Sequence, residues 1–142
     1  MNNVLVDTNI LVYSIDEDSI FHSISKNLIL SSEYKLYTTS KNLSEFLVVL
    51  TRGIEVPVSI EDALSSLEDL ITNFTILYPS NDSYKRFREL LIKYNPKGLK
   101  IHDFEIMSIC LENEINKIAT MDKDDFKDID EIELITVFRG NK

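Results

Sequence analysis

The sequence predicts an α/β fold with a mostly parallel sheet and helices on both faces. Two observations carry that prediction. Short runs rich in Val, Ile, Leu, Tyr and Thr recur along the chain, and the intervals between them place apolar residues at helical spacing. Strands separated by helical crossovers imply parallel pairing, with helices packed on the sheet.

The first strand is Val4-Leu5-Val6, an apolar run that ends in Asp7-Thr8-Asn9. A carboxylate, a hydroxyl and an amide therefore stand together at one strand-to-helix turn, where ligands bind in open α/β sheets. The same residue types are common helix N-caps, so Asp7 or Thr8 can also be read as only a cap. A short helical turn follows over 10–15, and then a helix over 21–31 with Ile24 and Leu28 inward. A second strand is expected over 35–38, with Ser40 capping a helix that carries Leu43, Phe46, Leu47 and Leu50 and ends near Arg52-Gly53. Glu45 borders the apolar stripe of that helix. It is either a rim residue whose stem packs on the core or a carboxylate aimed into a pocket.

Pro57 blocks continuation, and Ser59-Ile60-Glu61-Asp62 opens another helix, with Ala63, Leu64, Leu67, Leu70 and Ile71 as core. A third strand is read over 74–78, and Ser80 then caps a helix reaching Tyr94. Lys85, Arg86, Arg88 and Lys93 make this helix the most basic stretch, in a pattern that also suits a solvated face. After the turn Asn95-Pro96-Lys97-Gly98 comes a helix with Phe104, Met107, Cys110 and Leu111 inward and Asp103 at its amino end, where the dipole favours an ionised carboxylate. A fourth strand over 117–120 leads into Met121-Asp122-Lys123-Asp124-Asp125-Phe126, and a last strand over 133–137 completes the sheet.

The 142 residues suit one compact domain spanning 1–142, and no linker-like or repetitive tract divides them. No run approaches the roughly 20 apolar residues that cross a bilayer, and the N-terminus lacks a signal-peptide layout, so a cytoplasmic protein without membrane contact is expected. Cys110, the single cysteine, reads as a small buried hydrophobe, and with two histidines there are too few ligands for structural zinc. Fifteen basic against 24 acidic side chains give a net charge of −9, which argues against a generic polyanion binder. That argument weakens if several acids share one pocket, because such a pocket collects divalent cations that bridge to phosphate.

Asp7 and the Asp122 group follow carboxyl ends of strands, Asp103 opens the helix before the fourth strand, and Glu45 lies on the helix after the second. In a doubly wound sheet these positions open onto one edge. Carboxylates gathered there would raise one another's pKa, and as hard oxygen ligands they suit Mg²⁺ or Mn²⁺.

Four blocks in order, Val6-Asp7-Thr8-Asn9-Ile10-Leu11-Val12-Tyr13, Asn42-Leu43-Ser44-Glu45-Phe46, Gly98-Leu99-Lys100-Ile101-His102-Asp103 and Ile118-Ala119-Thr120-Met121-Asp122-Lys123-Asp124-Asp125-Phe126, give the sequence its family likeness. It resembles the PIN-domain ribonucleases, and among them the toxin subunits of VapBC-type toxin–antitoxin pairs, over essentially the whole chain. The resemblance implies a PIN-like three-layer α/β/α sandwich with a four- or five-stranded sheet. It further implies a Mg²⁺- or Mn²⁺-dependent endoribonuclease with Asp7, Glu45, Asp103 and Asp122 as the catalytic, metal-binding acids, and Thr8, Asn9 and Thr120 lining the pocket. Asp122 fits the family's Thr-x-Asp pattern, with Asp125 as the alternative, and His102 is expected to be a structural neighbour of Asp103. An RNA substrate, a homodimer and a small antitoxin are the implied partners. Lys85, Arg86, Arg88, Lys97 or Lys100 are the candidate phosphate contacts.

The alternatives are a receiver-like Mg²⁺-binding signalling domain, a haloacid-dehalogenase-like phosphotransferase and a PIN fold kept only for binding. The first lacks an acceptor Asp at the end of the third strand, Leu77-Tyr78-Pro79-Ser80, and the second needs a second Asp where Asn9 stands. The intact acidic set argues against the third.

Overall fold

Val4, Leu5 and Val6 have no exposed surface, so the strand they form must be covered on both faces. The structure, a computed structural model, describes residues 2–53, 56–135 and 137. Along the chain run β1 (Asn2–Val6), α1 (Thr8–Tyr13), α2 (His22–Leu30), β2 (Tyr34–Thr39), α3 (Ser40–Arg52) and α4 (Ile60–Leu70). They are followed by β3 (Phe74–Leu77), α5 (Asn81–Tyr94), α6 (Lys100–Glu112), β4 (Lys117–Ala119) and β5 (Glu133–Ile135), with single 3₁₀ turns at Ile71–Asn73 and Lys123–Asp125.

Alternation along β1 divides the core in two. Val4 and Val6 pack with Ile10 and Leu11 of α1, Leu28 of α2, Phe46 and Leu50 of α3, and Ala63 and Leu67 of α4. Leu5, on the opposite face, packs with Leu90 of α5 and Phe104, Met107 and Cys110 of α6. Among the described residues the result is the expected three layers: four helices, sheet, two helices. Among the described residues the sheet has five strands in the order β3-β2-β1-β4-β5, and each neighbouring pair is parallel. The chain steps outward from β1 to β3 on one side and from β4 to β5 on the other. The strand order therefore reverses between β1 and β4, and at that point the two carboxyl ends leave a crevice.

Several boundaries move from those the sequence suggests, each for a local reason. Helix α1 begins at Thr8 because Asp7 caps it, its carboxylate accepting a bond from the Thr8 N–H. Thr39, not Ser40, caps α3: its hydroxyl accepts from Asn42 N at 3.2 Å, and the Asn42 side chain answers by accepting from Thr39 N at 3.2 Å. Ser80 caps α5 as expected, in a reciprocal pair with Ser83. Strand β4 stops at Ala119, and the Thr120 hydroxyl turns to Asp7. Of the last strand expected over 133–137, Glu133–Ile135 is paired, and Thr136 lies outside the described residues.

Cys110 has no exposed surface, its thiol donates to Ile115 O at 2.9 Å, and burial pushes its pKa up to about 12, which leaves it packing matter rather than a nucleophile. Among the described residues no helix is long and apolar enough to cross a membrane.

Helix α3 ends on Gly53 at φ 85° and ψ 146°, and a Cβ there would stand 2.7 Å from Pro57 N and 2.8 Å from Pro57 Cα. Such backbone is essentially restricted to glycine. Gly53→Ala is expected to lower stability by about 1–3 kcal/mol, read as a lower urea midpoint at unchanged slope. An unchanged midpoint would contradict this account of the turn.

Candidate active site

Asp7 sits where β1 ends, against β4. Its backbone N–H donates to Ala119 O at 3.0 Å, which places its side chain beside Thr120. Oδ2 accepts from the Thr120 hydroxyl at 2.7 Å, and Oδ1 accepts from Thr8 N at 2.9 Å and more weakly from Asn42 Nδ2 at 3.4 Å. Asp7 is 8% exposed. Burial is the largest influence on it and lifts its pKa to about 6; the bonds from Thr120 and Thr8 pull the other way, and the charges of Glu45 and Asp125 add to the rise.

The neighbouring polar residues hold this arrangement together. Asn9 donates to Thr120 Oγ1 at 3.2 Å and accepts from Met121 N at 3.2 Å, so α1 is tied to the chain leaving β4. Asp122 N donates to the same Thr120 oxygen at 3.0 Å. On the other side, the Thr8 hydroxyl donates to Glu45 Oε1 at 2.6 Å and accepts from Asn42 Nδ2 at 2.9 Å. Glu45 thus faces the pocket, the second of the two readings its sequence position allowed.

Asp103 lies in the first turn of α6 and is half-buried. Desolvation pushes its pKa to about 7, the charges of Asp125, Asp7 and Glu45 push in the same direction, and Lys100 opposes them. Asp125, in the 3₁₀ turn, is raised by desolvation and then by the charge of Asp122 and a hydrogen bond with it, while Lys100, whose Nζ is 3.8 Å from Asp125 Oδ1, pulls it down.

A cleft of about 600 Å³ at the crevice is lined by Asp7, Thr8, Asn9, Glu45, Asp103 and Asp125, with His102 and Ser44 beside them. Four of the expected residues, Asp7, Glu45, Asp103 and the alternative Asp125, are brought together. Asp122 is exposed and does not line the cleft; its carboxyl lies against Asp125 instead. Thr120 is fully buried behind Asp7, a support rather than a lining group. The cleft continues past Glu45 over Val12, Tyr13, Val48 and Val49, and its cationic side chains are Lys41 and Arg52. Lys85, Arg86, Arg88, Lys97 and Lys100 are not among the lining residues.

Lys41 and Arg52 share a face of α3 with Glu45, being four and seven residues from it, and that spacing was the available signal for both. Asn42 and Thr39 were also missed as site residues. A lone Asn three residues after a Thr reads only as a cap.

The strand order separates this fold from the receiver-like arrangement, which runs 2-1-3-4-5. What remains is a parallel α/β domain with an acidic cleft at its switch point. The profile of the PIN domain family matches residues 4–132, and the chain belongs to that family. A comparison with curated protein sequences gives no significant match. Among solved structures, VapBC2 from Rickettsia felis bound to a promoter DNA fragment is 19% identical with a TM-score of 0.69, over 94% of this chain and 97% of that one. Mycobacterium tuberculosis VapC20, described as a sarcin–ricin loop cleaving toxin, is 18% identical with a TM-score of 0.68, over 86% of this chain and 92% of that one. A toxin–antitoxin complex from Klebsiella pneumoniae is 18% identical with a TM-score of 0.69, over 94% and 97% of the two chains. At these identities the likeness is one of fold.

The raised acids make a stability prediction. A carboxyl whose pKa is higher folded than unfolded binds more protons when folded, so its contribution is complete below about pH 4 and is lost as pH rises through the folded value. With Asp7 near 6 and Asp103 near 7 against 3.8 for the free group, the metal-free protein should melt progressively lower from about pH 4 to pH 7 and level off above. Asp7 alone accounts for roughly 3 kcal/mol of this. Asp7→Asn, which cannot ionise, should make the profile shallower and leave the share of Asp103; a metal-free melting temperature that is level or rises over this range would contradict the crowding.

Proposed function

We propose that the protein is a divalent-metal-dependent endoribonuclease, the toxin of a toxin–antitoxin pair, with Asp7, Glu45, Asp103 and Asp125 as its working acids. The observation that carries this reading is the convergence of those carboxyl groups on one cleft, two of them held well above their ordinary pKa. The donor set is all oxygen, which suits Mg²⁺ or Mn²⁺ and not zinc or copper. Among the described residues no three Asp, Glu, His or Cys side chains stand close enough to ligate one ion together. That spacing fits Mg²⁺, which commonly keeps several waters and takes one or two carboxylates.

A bound divalent cation supplies Lewis-acid activation of water and neutralises charge on the phosphodiester. The protein's own groups do the rest. Thr120 and Thr8 N hold Asp7 in one orientation, the Thr8 hydroxyl holds Glu45, and Arg52 and Lys41, the latter 3.4 Å from Glu105 Oε1, are the cleft's cationic side chains and its candidate phosphate contacts. Asp122 acts on Asp125 from outside the cleft.

RNA as substrate is supported by the fold shared with a toxin described as cleaving the sarcin–ricin loop. An antitoxin partner is supported by the likeness to toxin–antitoxin complexes and by a second groove of about 530 Å³, lined by Ile15, Leu50, Val56 and Val58, that shares Val12 and Val49 with the acidic cleft. A homodimer and a cytoplasmic location belong to the same reading.

Purified protein is expected to cleave RNA with Mg²⁺ or Mn²⁺, and Asp7→Asn or excess chelator should abolish cleavage. Cleavage that survives chelation would contradict the metal reading. Asp125→Ala should also abolish activity, whereas Asp122→Ala, acting from outside, should retain it at a level reduced about 10–100-fold. The reverse ranking would return Asp122 to the cleft.

A further inference from the structure

Asn42 has no exposed surface, and its amide is fully engaged. Oδ1 accepts from Thr39 N at 3.2 Å and from the Thr39 hydroxyl at 2.7 Å, while Nδ2 donates to Thr8 Oγ1 at 2.9 Å and to Asp7 Oδ1 at 3.4 Å. The orientation is forced. A flipped amide would set its oxygen against the Asp7 carboxylate and its NH₂ against the Thr39 N–H, leaving two buried clashes in place of hydrogen bonds.

One consequence reaches the cleft. The Thr8 hydroxyl has a single proton, and because Asn42 arrives as a donor, that proton is committed to Glu45, which accepts it at 2.6 Å. A single buried amide on α3 therefore fixes both the carboxylate that ends β1 and the carboxylate one turn further along its own helix.

We propose that Asn42 is a positioning residue: beyond capping α3, its amide holds Asp7 and, through the Thr8 hydroxyl, Glu45 in the arrangement that receives the cation. This rests on the reading of the cleft as a metal site. The capping half of the role belongs to Oδ1 and Thr39, and the positioning half belongs to Nδ2. Variants can separate the two.

The test follows Mn²⁺ binding by thermal shift in wild type, Asn42→Ala, Thr8→Val and Thr39→Ala. Asn42→Ala should raise the Mn²⁺ concentration for half-maximal shift by about tenfold, and Thr8→Val, which cuts the same relay without opening the core, should do likewise. Thr39→Ala should lower the metal-free melting temperature as a lost cap does but leave the Mn²⁺ midpoint within about twofold, because Thr39 N–H still fixes Oδ1. RNA cleavage at saturating Mn²⁺ should show the same order in kcat, with KM little changed.

A wild-type Mn²⁺ midpoint in Asn42→Ala, with only a lower metal-free melting temperature, overturns the proposal and leaves Asn42 a cap. If Asn42→Ala does not fold, Thr8→Val decides: a wild-type midpoint there overturns it equally. If wild type itself shows no Mn²⁺ shift, the metal reading falls and takes this inference with it, an outcome distinct from failure of the variants alone.

Discussion

The 2.7 Å hydrogen bond from the Thr120 hydroxyl to Asp7 Oδ2 is the contact on which the site depends. It joins the carboxyl ends of β1 and β4, the two strands between which the sheet reverses its order. Everything above it in the chain serves to bring those ends together. Three consecutive fully buried residues run β1 through the centre of the sheet between two helix layers, so Asp7 at its end is 8% exposed and meets solvent only through the cleft. A carboxylate so placed must be partnered or neutralised, because an unpaired buried charge is far costlier than a buried neutral group.

The partners supplied are only part of what the charge needs. Hydrogen bonds from Thr120 and Thr8 stabilise ionised Asp7, yet burial outweighs them, and Glu45, Asp103 and Asp125 bring further negative charge to the same cleft. The fold therefore holds acids together at a cost to its own stability, and a divalent cation is the species that would relieve it. The same reasoning reconciles a net charge of −9 with the polyanionic substrate proposed above. On the proposed function, the acids that repel phosphate when the cleft is bare would become its means of attachment once a cation stood between them, with Arg52 adding positive charge at the cleft and Lys41 held against Glu105 at 3.4 Å.

Much of this was legible in the sequence. The alternation of strand and helix matched the full element order, because apolar spacing survives in α3 and α4, because apolar runs mark β1 and the almost wholly buried α6, and because turn residues such as Gly53, Pro57 and Ser80 mark the ends. Asp7 was singled out because a carboxylate follows the apolar run Val4-Leu5-Val6, but the sequence left cap and cleft open, and in the structure it serves as both. Glu45 was not decided by its helical position, since rim and pocket differ by less than one residue's rotation; only the placement of Thr8 across from it settles the matter. The choice between Asp122 and Asp125 depended on how the chain turns after β4. The 3₁₀ turn at Lys123–Asp125 swings Asp125 inward, and spacing within an irregular turn has no period from which to read this. Asn42 stands in one of the four family-like blocks, yet nothing local marked it as a site residue, because its bonds to Thr8 and Asp7 span 34 and 35 residues.

The central claim is that the converging acids form one cation site, and its most direct test is the anomalous scattering of Mn²⁺ soaked into crystals of the protein. The account predicts a peak in the cleft, bonded to a carboxylate oxygen of Asp7 or Asp103, that disappears in crystals of Asp7→Asn. Well-ordered crystals with no peak between these side chains, or with manganese only elsewhere on the acidic surface, would contradict it.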